Sequence, residues 1–484
     1  MYNATSPGDS DWEAILAGLP SDLDLDLLAR ETKAIQRVRA IPDAVTLLRL
    51  ALMHGPGGRT LKQTSAWADI SGVAEISAPS LSDRLHQSVS FFDALTARLL
   101  AARAPARPTP WHGRCLHLCD ASSLSQPGSK GTDWRIHATY DLGRGGFSQL
   151  ELTDGHGAEA LSRVRPKESV VIIADRGYAK AGEMAALLEP VDGPPCDFII
   201  RTGWAMLRLE TETNEAFDLI DGLRRMEADC ASDRLQEWSL QALHGRGKQV
   251  KRLPLRLLAV ALPAEQAATA RQELRRKASR QQRVLDPRSE LAAGFMVLVT
   301  SLPPEIPGAD ICAVYRLRWQ IELAFKRLKS LLRIDRLPTH TKEGSLSWLY
   351  PHLILALLID DICQEILDSP PLSHRPTSRR TPKSRARSRS GASRRLSLPS
   401  CATLWCLTRS PWRTLSTHGA GSAAGLLNRE GGGSGKGYSP PKAYPNADGA
   451  LPRTPPRGFA PWIPTKGAAF GMRFICRLNS WGLP

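Results

Sequence analysis

Asp120 and Asp175 each close an apolar run that reads as a β-strand, RCLHLCD and VVIIAD. Residues at the ends of strands in mixed α/β sheets commonly face the functional crevice. Two carboxylates on neighbouring central strands are therefore placed to share a hard cation. Mg²⁺ and Mn²⁺ take oxygen ligands. Two such ions bridged by carboxylates activate a hydroxyl and stabilise the leaving oxygen of a phosphodiester. An aspartate after a strand also commonly opens a turn or caps a helix, and either residue alone says no more than that.

A third acid lies on a helical segment expected over 309–333, which contains VYRLRWQIELAFKRLKSLLR. Tyr315, Arg318, Glu322 and Lys329 recur at helical spacing and point within roughly 60° of one another, with Lys326 and Arg333 close to that direction. Glu322 is thus a candidate third metal ligand, and Arg318 and Lys329 can grip phosphates on either side of it. Leu317, Ile321, Phe325 and Leu328 form an apolar stripe that would dock the helix on a sheet. The plainer alternative is a solvated basic face with Glu322 as its i,i+4 partner.

The elements that must position these groups follow from periodicity. Residues 1–105 read as mostly helical, with helices over roughly 24–38 and at TLLRLALMHG. Leu61–His86 reads as helix, short turn and second helix, capped by Ser80 or Ser82, with Lys62 and Arg84 near the turn. That order fits a helix-turn-helix or, equally, a plain helical bundle. DWRIHATYDL and FSQLELTD read as strands joined by the Gly-rich turn LGRGG, a short helix follows near 158–164, then a helix at 179–188 and the strand CDFIIR. The sum is a mixed α/β core. Residues 203–290 form a polar, charged insertion with strands in VKRLPLRLLAVAL and a helix at 264–280, and GFMVLVTSLP returns to the core. Cys115, His117 and Cys119 share one face of a strand, but no fourth ligand has sensible zinc spacing. No phosphate-binding GxxxxGK[ST] loop is present.

DASSL at 120–124, ADRGY at 174–178 and the Tyr315, Arg318, Glu322, Lys329 set resemble the DDE transposases of bacterial insertion sequences, in the subgroup with a Tyr-Arg-Glu-Lys signature. The resemblance covers about 60–365. It implies a ribonuclease H-like mixed sheet flanked by helices, with a mainly β insertion before the last acid and an N-terminal helical domain. It implies Asp120, Asp175 and Glu322 as ligands of Mg²⁺ or Mn²⁺, as two ions. Tyr315, Arg318 and Lys329 are expected to contact DNA near the scissile end. Arg176, Gly177 and Tyr178 are expected to shape the loop after the second acid, with Arg176, Tyr178 and Lys326 on the DNA side. The implied partners are double-stranded DNA, both terminal inverted repeats and target, and a second copy of the chain in a synaptic complex. A nuclease that cuts without joining, and a decayed remnant that only binds DNA, are the competing readings.

Charge supports this less than the net +16 of the 484 residues implies. From Pro371 onward there are 19 Lys plus Arg against 2 Asp plus Glu, leaving 45 against 46 before it. The excess is a property of residues 368–484, rich in Arg, Ser, Gly and Pro without period. That composition points to disorder, either a basic nucleic-acid-binding tail or the product of a frameshift near Ser369. The domains expected are therefore 1–105, 106–367 with its 203–290 insertion, and this tail. LSWLYPHLILALLIDDI, with its proline and two aspartates, reads as a buried helix and not a membrane span. The start MYNATSPGDSDWEAILAGLP is polar and acidic, so no signal peptide is expected. Nine cysteines without paired spacing suit a reducing compartment, and the expected location is the bacterial cytoplasm, at the nucleoid.

Overall fold

The computed structural model describes residues 7–103, 105, 108–228 and 235–368, so the tail from 369 on lies outside the described residues. The N-terminal part is helical as expected: α1 (Pro7–Ala17), α2 (Leu25–Glu31), α3 (Ala44–His54), α4 (Leu61–Ile70), α5 (Ala78–Gln87) and α6 (Val89–Ala101). Short polar side chains set the helix starts by accepting from otherwise unpaired backbone N–H groups. Asp24 caps α2, Asp43 caps α3, and Thr60 with Gln63 forms a capping box on α4. The helix expected over 24–38 ends at Glu31. The cap of α5 is Ser77, whose Oγ accepts from Ser80 N at 3.3 Å, and not Ser80 or Ser82. Pro79 explains the shift, since proline suits the first helical turn. Lys62 then stands at the start of α4 and Arg84 in the last turn of α5, both away from the turn between the helices.

Among the described residues nine strands form one sheet, in the order β3-β2-β1-β4-β5-β9-β8-β7-β6. They are β1 (Leu116–Leu124), β2 (Trp134–Asp141), β3 (Gly146–Asp154), β4 (Val171–Ala174), β5 (Asp197–Arg201), β6 (Arg208–Glu210), β7 (Leu235–His244), β8 (Lys251–Ala261) and β9 (Phe295–Thr300). β1, β2 and β3 are antiparallel neighbours, while β4 and β5 run parallel to β1. This is a ribonuclease H-like core. The β2–β3 turn works because Asp141 Oδ1 accepts from Gly143 N and Arg144 N, and Gly145 takes the left-handed φ of +72°. Between β3 and β4 the expected short helix is a single 3₁₀ turn, Leu161–Arg163. The helix after Asp175 is α7 (Ala181–Leu188).

The insertion carries on the core sheet through β6, β7 and β8, with β8 antiparallel to β9 over six residue pairs. Its sheet-forming half alternates with α8 (Leu219–Ala228), α9 (Ala264–Arg280) and α10 (Pro287–Ala292). After β9 come α11 (Gly308–Tyr315), a 3₁₀ turn Arg316–Arg318, and α12 (Trp319–Ser330). The single long helix expected over 309–333 is thus tightened at its middle. Finally α13 (Lys342–Asp368) runs unbroken through Pro351 and packs on α3, α5, α6 and β3. It is long and apolar enough to cross a membrane, but 72% of its most apolar window is buried.

Burial on α13 carries a pH dependence. His352 is fully buried, its Nδ1–H donates to Trp348 O at 2.6 Å, and burial lowers its pKa to about 4. The unfolded chain takes this proton near pH 6.5, whereas the folded chain resists it until about pH 4. The stability that neutral His352 supplies is therefore present above pH 6.5 and lost as pH falls toward 4. Between pH 7.5 and 4.5 the stability of the native chain relative to a His352→Asn variant should fall by about 2–3 kcal/mol. Urea unfolding of both proteins at the two pH values measures this, and a constant difference would refute it.

Candidate functional site

Strand register explains why Asp120 and Asp175 meet. In the parallel β1–β4 pair Cys119 lies beside Ala174, and in the β4–β5 pair Ala174 lies beside Ile200. The next residues along three adjacent strands are Asp120, Asp175 and Arg201, so they form one row on the sheet. Asp120 is not the end of its strand: β1 continues to Leu124 because β2 still pairs with it, Asp120 opposite Ala138. Only β4 stops, at Ala174. Asp120 is therefore held by a strand on one side and open on the other.

The tightened helix delivers the remaining groups. In a 3₁₀ turn residues i and i+3 eclipse, which aligns Tyr315 with Arg318. Tyr315 is buried and its hydroxyl donates to Asp175 Oδ1 at 3.3 Å. Arg318 bridges two acids, lying 3.6 Å from Asp120 Oδ2 and pairing with the Glu322 carboxylate. Lys329 Nζ donates to Ser123 O at 3.0 Å, tying α12 to the end of β1. Ile321, Phe325 and Leu328 are buried with Leu317, as the stripe predicts, so Glu322 stands on the open face. Lys326 is exposed next to it, and Trp319 is 37% exposed.

Burial pushes the Asp120 carboxyl up to about 6, against the Ala121 N–H and the Arg318 charge, while Glu159 and Glu322 push it further up. Burial opposes the charge on Arg318, but Tyr315, Asp175 and Glu322 outweigh it and the guanidinium pKa is raised. The three acids thus surround one guanidinium instead of one another. Among the described residues, no three His, Cys, Asp or Glu side chains are grouped to hold a metal ion. The donors suit a hard divalent cation in kind: all are carboxylates, and they already hold a positive group at their centre. As they stand, a cation would have to take the place of Arg318.

Two of the residues expected on the DNA side are buried. Tyr178 is 1% exposed, packs in the core cluster beside Cys119 and closes the turn Arg176–Tyr178. Tyr315 is 7% exposed with its hydroxyl engaged on Asp175. Arg176 is exposed. Of the alternating trio on β1, Cys119 is buried in that cluster, Cys115 packs against it, and His117 is buried 4.0 Å from Asp141 Oδ2. Arg201 and Glu159 escaped motif reading. Register is the only signal for Arg201, and register is not visible before strands are paired.

Comparison with known proteins follows the same lines. Residues 111–358 match the family model described as transposase DDE domain. The chain is 39% identical over 363 residues to the putative transposase InsL for insertion sequence element IS186A of Escherichia coli, covering 75% of this chain and 96% of that protein. It is 39% identical over 364 residues to the transposase for insertion sequence element IS421 of Escherichia coli, with the same shares covered. The transposase for insertion sequence element IS231F of Bacillus thuringiensis subsp. israelensis is 28% identical over 243 residues, 46% of this chain and 49% of that one. Among solved structures, a piggyBac transposase synaptic complex with hairpin DNA covers 73% of this chain and 74% of its own, with a TM-score of 0.41 and 10% identity.

Proposed function

The chain belongs to the transposase DDE domain family, which makes it a DNA transposase, and from that premise we propose that Asp120, Asp175 and Glu322 are its catalytic acids. The observation that carries this is the convergence of all three on Arg318 and Tyr315, from two adjacent parallel strands and one docked helix. The family's chemistry uses divalent metal ions; Asp120, Asp175 and Glu322 would hold Mg²⁺ or Mn²⁺, as two ions. When bound, the metal supplies Lewis-acid stabilisation of charge on the attacking and leaving oxygens.

The chain's own residues prepare that step. Tyr315 orients the Asp175 carboxylate. Arg318 neutralises Asp120 and Glu322 and is placed to reach a DNA phosphate beside them. Exposed Lys326 on α12, exposed Arg176 after Asp175 and Arg201 at the end of β5 add positive charge, and Lys329 fixes α12 on β1. The four residues Tyr315, Arg318, Glu322 and Lys329 support the Tyr-Arg-Glu-Lys subgroup. The α4–α5 pair is the candidate for gripping the terminal repeats, with Ser80, Asp83 and Gln87 exposed on α5. Two copies would synapse the two ends. Residues 1–105 and 106–367 form the working enzyme. The tail lies beyond it: 363 aligned residues span 96% of the InsL protein, leaving about 120 residues of this chain over.

The assay uses labelled DNA ends taken from the sequence flanking the gene, a supercoiled target and Mg²⁺ or Mn²⁺. Metal-dependent nicking at the end followed by joining to target is the expected result. Nicking without joining would leave a nuclease, and neither step would leave a DNA-binding remnant.

A further inference from the structure

A fourth carboxylate lies against the turn that follows Asp175, and neither the motifs nor the family match points to it. Glu159 lies on the loop between β3 and β4, half-buried, and its charge acts on Asp120, Cys119 and Tyr178. On Asp120 its influence outranks that of Glu322. The loop that carries it is tied down on all sides. Arg135 donates to Gly157 O at 2.6 Å and Arg163 to Ala158 O at 3.0 Å. Lys180 Nζ donates to Glu159 O at 2.9 Å, and Leu161 N donates to Glu183 Oε2 at 2.6 Å. Lys180 spends its other contact on Glu183, not on Glu159. Among the described residues the Glu159 carboxylate itself has no hydrogen bond or ion pair.

Gly177 gives the placement a second mark. A Cβ at that position would overlap Glu159 Oε2. The glycine of ADRGY, two residues past Asp175, therefore leaves room for this carboxylate against the turn that follows the second acid. An unbonded carboxylate on a loop whose backbone is held, set against the turn that follows Asp175 and close enough for its charge to act on Asp120, is an oxygen donor suited to a hard cation.

We propose that Glu159 is a further acid of the metal centre, binding a divalent cation together with Asp120. The proposal rests on the assignment of Asp120 as a metal ligand. The test is a Mn²⁺ titration of the full chain without DNA, read by the loss of the free-ion electron paramagnetic resonance signal. Glu159→Gln should weaken Mn²⁺ binding on the order of 10-fold, and Asp120→Asn at least as much, with thermal melting as the check on folding. Gly177→Ala, whose methyl group crowds Glu159 Oε2 without removing it, should weaken binding in the same direction but less than Glu159→Gln. The double variant Glu159→Gln/Gly177→Ala should then be no weaker than Glu159→Gln alone. Native-like Mn²⁺ affinity in Glu159→Gln, while Asp120→Asn is impaired, would overturn the role of Glu159 and spare Asp120. Native-like affinity in both would overturn the premise and the proposal together. Additive losses in the double variant would likewise overturn it, since the two residues would then act separately.

Discussion

Glu322→Gln should reduce end cleavage by on the order of 10³-fold or more, the loss of roughly 4 kcal/mol of transition-state stabilisation. The change keeps size and helix propensity, so α12 stays docked through Ile321, Phe325 and Leu328. It removes the charge that Arg318 grips. The guanidinium is then held by Asp120 alone among the acids it touches, at 3.6 Å. Binding of the cognate end should remain within about 3-fold, or tighten, because a less restrained Arg318 is freer to reach phosphate. Gel-shift binding and cleavage on the same labelled end separate the two effects. Cleavage within tenfold of the native rate would remove Glu322 from the catalytic set. Loss of binding in parallel with cleavage would mark it as a structural partner of Arg318 and no more.

The second large effect concerns the joint between the helical part and the catalytic core. Arg103, just past α6, is 7% exposed and lies 3.7 Å from Asp360 and 3.2 Å from Asp361 on α13. It also donates to Leu357 O at 2.8 Å and to Phe147 O on β3. Asp360 accepts from Phe147 N at 3.1 Å, and Arg144 of the β2–β3 turn pairs with Asp361 at 3.0 Å. One guanidinium therefore links three elements that meet only in the folded chain. Arg103→Ala should cost about 3–5 kcal/mol of unfolding free energy, because it removes a buried guanidinium that holds Asp360, Leu357 O and Phe147 O together. Arg103→Met with Asp360→Asn should recover part of that, since the charge is gone and an acceptor for Phe147 N remains. Urea denaturation of the three proteins decides it. A loss below about 1 kcal/mol in Arg103→Ala would mean the network contributes little.

Much of the catalytic face was legible in the residues because its determinants are local. VVIIAD needs only its run of apolar residues to read as a central strand, and the Leu317 to Leu328 stripe needs only its period. What escaped is what depends on pairing. Asp120 reads as a strand end because the sequence shows where apolar character stops, whereas β1 runs on since β2 continues beside it. The 3₁₀ turn at 316–318 carries no breaker residue, so nothing marks it along the chain. Tyr178 sits in the segment ADRGY next to Asp175, and its burial follows from the packing of Cys119 and its neighbours, which no local pattern records. Glu159 is one acid among many in a loop until the fold lays that loop against Gly177.

The continuation of the sheet through β8 and β9 has one more effect. β9 reads FMVLVT, and it is bonded on both sides, to β5 and to β8. Without residues 203–290, that strand would become the border of the sheet: apolar, uncharged, and with a row of open backbone groups. Such a border recruits other chains. The insertion is thus a hem on the sheet, covering a strand whose exposure would make this chain sticky.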